Sequence, residues 1–311
     1  MLKLQPIYQE KIWGGRLFET MFDDVPSGRL GERWVISAHG NGDCLIAEGP
    51  LQGQKLSWVF AHHKELFALD PRTDFPLLLK YIDASDDLSV QVHPDDEYAH
   101  TINQPYGKEE SWLILKAPQS KLIQLGHHAH DKTELAEMID NGRWKDLLKY
   151  QTIDRDYFVP VRPGTLHAIL KGTLLLEIQQ ASDTTYRVYD YGRLDQAGKP
   201  RPLHLKESKE VIAVPDNSVE PYQISTDPAN PRQVIFIGKH FSVEQWKIDQ
   251  STKLKLTDGY YAVTAIEGAG SINGTPIKQG DSFVLTSLCD EVVIDGSLRL
   301  IAAYPKMEPK P

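Results

Sequence analysis

The sequence predicts a mainly β chain with helical insertions, arranged as two β-barrels of which only the first carries a metal site. Three observations lead there. Short apolar runs broken by Asn, Gly, Asp and Ser recur along the chain, as strands and turns require. Three stretches read instead as helical, at about 53–70, 94–104 and 131–150. From Gln233 onward the pattern is nearly all strand and turn. The expected division is a site-bearing unit over 1–230, holding the helical insertions, and a C-terminal barrel over 231–311.

In chain order, residues 33–48 and 77–93 read as strands and turns. Between them, Leu56, Val59, Phe60, Leu66 and Phe67 fall at helical spacing, with Ser57 or the preceding turn as the start. Pro94-Asp95-Asp96-Glu97 resembles a first helical turn, with Pro early and acids at the positive end. Asp131 to Tyr150 is the clearest helical region: Asp131 caps, Glu134 follows three residues on, and Leu135, Met138, Ile139, Trp144, Leu147 and Leu148 are apolar. Asn141-Gly142 divides it in two. Strands return at Tyr157–Val161, Thr173–Ile178 and Tyr186–Tyr189. Residues 191–232, rich in Pro, Asp, Asn and Lys, hold a short helix near Lys206–Ile212 and then a linker.

The last third has the cadence of a cupin (jelly-roll) barrel: Tyr261–Gly270, then Ile277–Gly280, then Asp281–Leu285. Asn273-Gly274 marks a hairpin, and Val292–Ile294 and Leu298–Ala302 complete the sheet. No histidine follows Phe283-Val284-Leu285, and His240 stands alone in this third, so this barrel is expected to hold no metal.

Composition sets limits. The 311 residues are 41% apolar and 25% charged, enough for an ordinary core. A net charge of −9 without a Lys/Arg run disfavours a nucleic-acid partner and leaves room for a small anionic substrate. No stretch reaches the length of a membrane span, and Met1-Leu2-Lys3-Leu4-Gln5-Pro6 lacks a secretory signal. Cys44 and Cys289 are expected as reduced thiols in a cytoplasmic protein, acting as a monomer or weak homodimer.

A metal site assembles around Gln91-Val92-His93. In a strand Gln91 and His93 face one side while Val90 and Val92 face the other. Glu110 lies in the next apolar run, and His167 ends the turn Arg162-Pro163-Gly164-Thr165-Leu166-His167. Two imidazoles, a carboxylate and an amide oxygen suit a divalent transition metal. His127-His128-Ala129-His130 is read as a loop before the Asp131 helix, His62-His63 as exposed, and Trp13, Trp34 and Trp112 as packing residues.

Longer words in the sequence carry a family resemblance. Leu88-Ser89-Val90-Gln91-Val92-His93-Pro94-Asp95-Asp96, Lys108-Glu109-Glu110-Ser111-Trp112 and Glu177-Ile178-Gln179-Gln180-Ala181-Ser182-Asp183-Thr184-Thr185-Tyr186-Arg187 resemble the signatures of type I mannose-6-phosphate isomerases, short bacterial form. Lys11-Ile12-Trp13-Gly14-Gly15 and Glu32-Arg33-Trp34 also fit, and the likeness runs from about residue 6 to about residue 302. The resemblance implies Zn²⁺ held by His93, Glu110, His167 and Gln91. It implies Arg187 as a catalytic arginine, Lys80 and Lys108 at the substrate, and Ser89 near the sugar phosphate. Glu109 stands where the family commonly has Thr or Pro, and Thr184 where Asn often follows Ser-Asp.

Moving a proton between C2 and C1 of a sugar phosphate passes through an enediolate, which a metal and a fixed cation such as Arg187 stabilise. The proton carrier is Lys80, its pKa lowered by the metal or Arg187, or Glu177, which alternatively orients Arg187. Two other functions fit the residues: a cupin-type iron oxygenase, since two His and a carboxylate also describe such iron sites, and a non-catalytic sugar-phosphate sensor.

Overall fold

The structure is a computed structural model that describes residues 1–307 apart from positions 196, 226 and 228. Alternation along its strands creates three large sheets, a two-stranded ribbon and four apolar clusters. A seven-stranded antiparallel sheet is built around Leu30–Ile36, Leu77–Ala84, Glu110–Lys116 and Thr173–Gln180. Every residue of Leu77–Ala84 and Thr173–Gln180 is buried, so both faces of this sheet are covered.

One face packs against the C-terminal sheet: Leu79, Tyr81, Leu113, Leu176 and Ile178 meet Phe241, Val243, Ala262, Ile301 and Ala303. The other face turns Ile82, Trp112, Ile114 and Leu175 toward Ile123 and Leu125 of a five-stranded sheet and toward Ile169 just past one of its strands. That second sheet is covered outside by helices at Lys132–Asp140, Trp144–Leu147 and Leu205–Val211, whose apolar residues pack on Val90, Val92, Ala168 and Val188. The site lies between these two sheets.

The helices follow local chemistry. Asp131 caps Lys132–Asp140 by accepting from Glu134 N at 2.8 Å, and Glu134 Oε2 accepts from His130 N at 2.7 Å, a reciprocal box. Asp95 caps Asp96–Thr101 by accepting from Tyr98 N, so Pro94 precedes the cap rather than opening the helix. Leu56–His62 begins after Lys55 without a side-chain cap.

Three boundaries differ from the sequence reading. The helical pattern to Tyr150 stops at Leu147, because Leu148–Thr152 pairs antiparallel with the strand Leu122–His127. His127 therefore belongs to a strand, and its Nε2 bonds Ala213 O at 2.8 Å. Val292–Ile294 and Leu298–Ala302 are parts of one strand, Glu291–Pro305. That strand bends without breaking at Gly296, whose φ of +108° and close approach to Ala269 O leave no room for a Cβ.

The C-terminal sheet of eight strands closes over Trp246, Ile248, Tyr261, Val263, Phe283 and Leu300. Its edge recruits Leu2–Lys3, which pair with Val284 and Phe283. Asn273-Gly274 forms the expected hairpin, both residues at positive φ. Cys44 and Cys289 are free thiols. Among the described residues no helix is long and apolar enough to cross a membrane.

Candidate metal centre

Strand register brings the ligand candidates together. In the five-stranded sheet Gln91 stands directly between His167 and Arg187, so the three side chains share one face. Opposite them, the seven-stranded sheet places Trp34, Lys80, Glu177 and Trp112 in one cross-strand row, with Glu110 two residues beyond Trp112 on the same face.

His93, Glu110 and His167 converge: each offers a ligand atom within 4.8 Å of the others, and all three are buried. His93 Nε2 lies 3.4 Å from Glu110 Oε2, and His167 Nε2 lies 3.4 Å from Glu110 Oε1. Donors roughly 2.0–2.1 Å from a tetrahedral ion stand about 3.3 Å from one another, so the spacing fits a shared cation.

Both rings are oriented from behind. His93 Nδ1 donates to Thr184 O and His167 Nδ1 donates to Thr165 O, each at 2.9 Å, which leaves the Nε2 lone pairs facing inward. Burial, with Lys108 and His167 next, holds the His93 pKa well below 6.5; burial takes His167 down to about 4. Both imidazoles are therefore neutral near pH 7, the form that binds metal. Neither Glu110 oxygen has a well-aligned hydrogen-bond donor, although Lys108 Nζ is 3.0 Å from Oε2. Lys108 offsets part of the cost of burying this carboxylate, and its oxygens, unaligned to any donor and flanked by two neutral imidazoles, suit a further cation.

Gln91 meets the cluster through its amide, with Nε2 3.3 Å from His167 Nε2 and Oε1 accepting from Ser89 Oγ at 3.4 Å.

A ladder of alternating charges continues from Glu110. Lys108 bridges Glu110 and Glu177, the latter at 3.8 Å. Lys80 bridges Glu177 at 3.1 Å and Glu32 at 3.4 Å, and Lys11 reaches Glu32 at 3.1 Å. The tryptophans are more than packing: Trp112 Nε1 donates to Glu177 at 3.0 Å and Trp34 Nε1 to Glu32 at 2.9 Å.

These neighbours act on Lys80 against burial. Burial pushes the Lys80 pKa down, but Glu177 and Glu32 outweigh it and raise the value above 10.5. Lys80 is thus an ammonium flanked by two carboxylates. Burial first, then the charge of Glu110, raises Glu177 above 4.5. Glu32 goes the other way: despite burial, Lys80 and Lys11 lower it to about 2.

Arg187 is half-buried. Its Nη1 donates to Pro202 O at 2.9 Å, and its buried Nε has no partner. Asp190 bonds Arg193 and Arg201 instead, so neither it nor Glu177 anchors Arg187 among the described residues. Sequence reasoning passed over Lys11 and Glu32 as site residues. Their signal was the Glu32-Arg33-Trp34 alternation, which puts a carboxylate beside an indole on one face. A cleft of about 900 Å³ lined by Asp95, Glu109, Arg162, Tyr222, Lys239 and His240 includes none of the three clustered residues, so the candidate metal centre is separate from it.

Known proteins resemble this chain over nearly its whole length. Residues 1–121 match the family description "Phosphomannose isomerase type I, catalytic domain", and residues 233–305 match "Mannose-6-phosphate isomerase, cupin domain". The chain is 40% identical over 312 residues to the mannose-6-phosphate isomerase ManA of Bacillus subtilis, covering 97% of this chain and 98% of that one. It is 39% identical over 310 residues to the mannose-6-phosphate isomerase of Streptococcus mutans, covering 97% and 98%. The crystal structure of the Bacillus subtilis mannose 6-phosphate isomerase superposes with a TM-score of 0.91 at 38% identity, over 97% of this chain and 99% of that one. A zinc-bound mannose 6-phosphate isomerase shares the fold at 15% identity and a TM-score of 0.78, over 98% and 99%. With two family descriptions matched and relatives similar over nearly its whole length, the chain belongs to the type I mannose-6-phosphate isomerase family.

Proposed function

We propose that this chain interconverts mannose 6-phosphate and fructose 6-phosphate, and that His93, Glu110 and His167, with Gln91, hold one Zn²⁺. The observation that carries the reading is the convergence of two inward-facing imidazoles on a buried carboxylate that lacks aligned donors, in a member of this family. A bound metal supplies Lewis-acid polarisation of the substrate's carbonyl and hydroxyl oxygens.

The remaining work belongs to the chain's own side chains. Glu177 is the proton carrier between C2 and C1: its pKa is raised toward the working range of a general acid–base, whereas Lys80 stays protonated. Lys80 and Lys108 act as hydrogen-bond donors to substrate oxygens, with Lys108 beside the metal ligands and Lys80 one step further along the ladder. Arg187, free of carboxylate partners among the described residues and on the face of Gln91 and His167, stabilises the enediolate charge. Ser89, hydrogen-bonded to Gln91, binds toward the sugar phosphate. The chain is read as a catalytic unit over 1–230 and a cupin-like unit over 231–311, with Leu2–Lys3 lent to the second sheet.

A coupled assay with mannose 6-phosphate, run beside glucose 6-phosphate and with metal analysis of the same sample, tests this. Turnover of mannose 6-phosphate alone is expected, lost on chelation and restored by Zn²⁺. Full activity after exhaustive metal removal ends the metal mechanism.

A further inference from the structure

One buried carboxylate beside the site has no part in the chemistry above. Glu109 is 5% exposed and adjoins Glu110, so in extended chain it turns to the opposite face, toward the C-terminal sheet. There its two oxygens accept from successive backbone N–H groups, Lys239 N at 3.0 Å and His240 N at 2.8 Å. Those groups belong to the turn between the strands Arg232–Ile237 and Phe241–Ile248, closed by Gly238 N donating to Phe241 O at 2.9 Å. The turn is shaped to the carboxylate: a Cβ on Gly238 falls 2.9 Å from Glu109 Oε1 and 2.5 Å from the Phe236 ring.

The segment is tied on its other sides too. Glu109 N donates to Gln180 Oε1 at 2.9 Å, and Gln180 N donates to Glu109 O at 3.0 Å. Asp96 accepts from Gly107 N at 2.7 Å and from Gln180 Nε2 at 3.0 Å, while its other oxygen lies 3.5 Å from His240 Nδ1. Lys108 N donates to Pro94 O, next to His93, at 2.9 Å. With two backbone donors at 3.0 and 2.8 Å, against 3.5 Å from Asp96 to His240, Glu109 is the closest of these ties to the C-terminal sheet.

We infer that Glu109 is a positioning residue: through it the turn at 238–241 fixes residues 107–110 and so presents Lys108 and Glu110 to the metal site. The inference rests on the reading that His93, Glu110 and His167 hold Zn²⁺.

The test measures Zn²⁺ affinity of the full chain by competition with a chromophoric chelator, beside kcat and KM for mannose 6-phosphate. In Glu109→Gln the amide sets an NH₂ against one backbone donor. Zn²⁺ affinity and kcat are expected to fall on the order of tenfold, with KM within about twofold. Gly238→Ala, which presses on the same carboxylate from the partner side, is expected to move the same quantities in the same direction. It carries the test alone if Glu109→Gln does not fold. Tyr81→Phe removes a 3.1 Å bond to Thr264 in the same interface and is expected to lower Tm while leaving Zn²⁺ affinity unchanged. Lower Tm with unchanged Zn²⁺ affinity and kcat in Glu109→Gln or Gly238→Ala overturns the inference. So does an equal loss of Zn²⁺ affinity in Tyr81→Phe. Failure of the unmutated chain to bind Zn²⁺ overturns the metal-site reading instead.

Discussion

The inside of the C-terminal sheet and the space between the two site-bearing sheets share a β architecture and differ in what fills them. The first is filled by Trp246, Ile248, Val263, Phe283 and Leu300, all fully buried. The second mixes apolar residues with Glu32, Lys80, Lys108, Glu110 and Glu177, and adds two histidines. Apolar burial stabilises in proportion to area. A buried ion pair often does no more than offset its own desolvation. The charged interior therefore holds its shape through what surrounds it. Its sheet packs on the C-terminal sheet behind and faces an apolar cluster in front, while helices cover the far side of the second sheet. One interior contributes stability, and the other contributes prearranged charge.

The sharpest way to break this contrast is to alter one charge. Glu110→Gln keeps the volume, removes the shared ligand charge and leaves Lys108 with a weaker partner. We expect kcat/KM to fall by roughly a thousandfold or more, the several kcal/mol a metal contributes, with Zn²⁺ content lost and far-UV circular dichroism unchanged. Near-normal turnover in a zinc-free variant would show that the charged interior is structural.

The complementary change belongs in the other interior. Leu300→Ala removes a fully buried side chain from the C-terminal cluster. About 2–5 kcal/mol of stability should be lost, read by urea unfolding, while kcat and KM at 25 °C stay as they were. A fall in kcat there would mean that the two interiors are coupled through packing.

Arg187 sharpens the comparison within the site, because it shares the face of Gln91 and His167 and stands outside the clustered group of His93, Glu110 and His167. Arg187→Ala should lower kcat by roughly a hundredfold, the scale of one lost transition-state donor, and leave Zn²⁺ content intact. Loss of metal in step with activity would recast it as a structural cation.

Legibility followed the same divide. The apolar framework was readable because period and capping are local: Val90 and Val92 against Gln91 and His93, and Asp131 with Glu134, both held. The ligand cluster was readable because alternation fixes which face a residue takes, and the family words named the partners. The helix carried past Leu147 failed because pairing with Leu122–His127 overrode a short apolar pattern. The surroundings of Lys80 were not legible for a deeper reason. They are made by Glu32 and Glu177, which are 48 and 97 positions away in the chain and become neighbours only through sheet register. Lys11 and Glu32 were missed for that same cause.

The smallest expected effect probes that ladder directly. Glu32 is held at about 2 by Lys80 and Lys11, against an ordinary 4.5 for the unfolded chain. A carboxyl with a depressed folded pKa contributes stability above its unfolded pKa and loses it as pH falls toward the folded value. The window here runs from pH 4.5 down to about 2. Between pH 6 and pH 3 the parent chain should lose on the order of 2 kcal/mol more stability than Glu32→Gln, which has no proton to take up. Urea unfolding of both proteins across that range measures the difference. Parallel pH profiles would mean that the Lys11–Glu32–Lys80 pairs only balance their own burial, and that the charged interior draws no net stability from them.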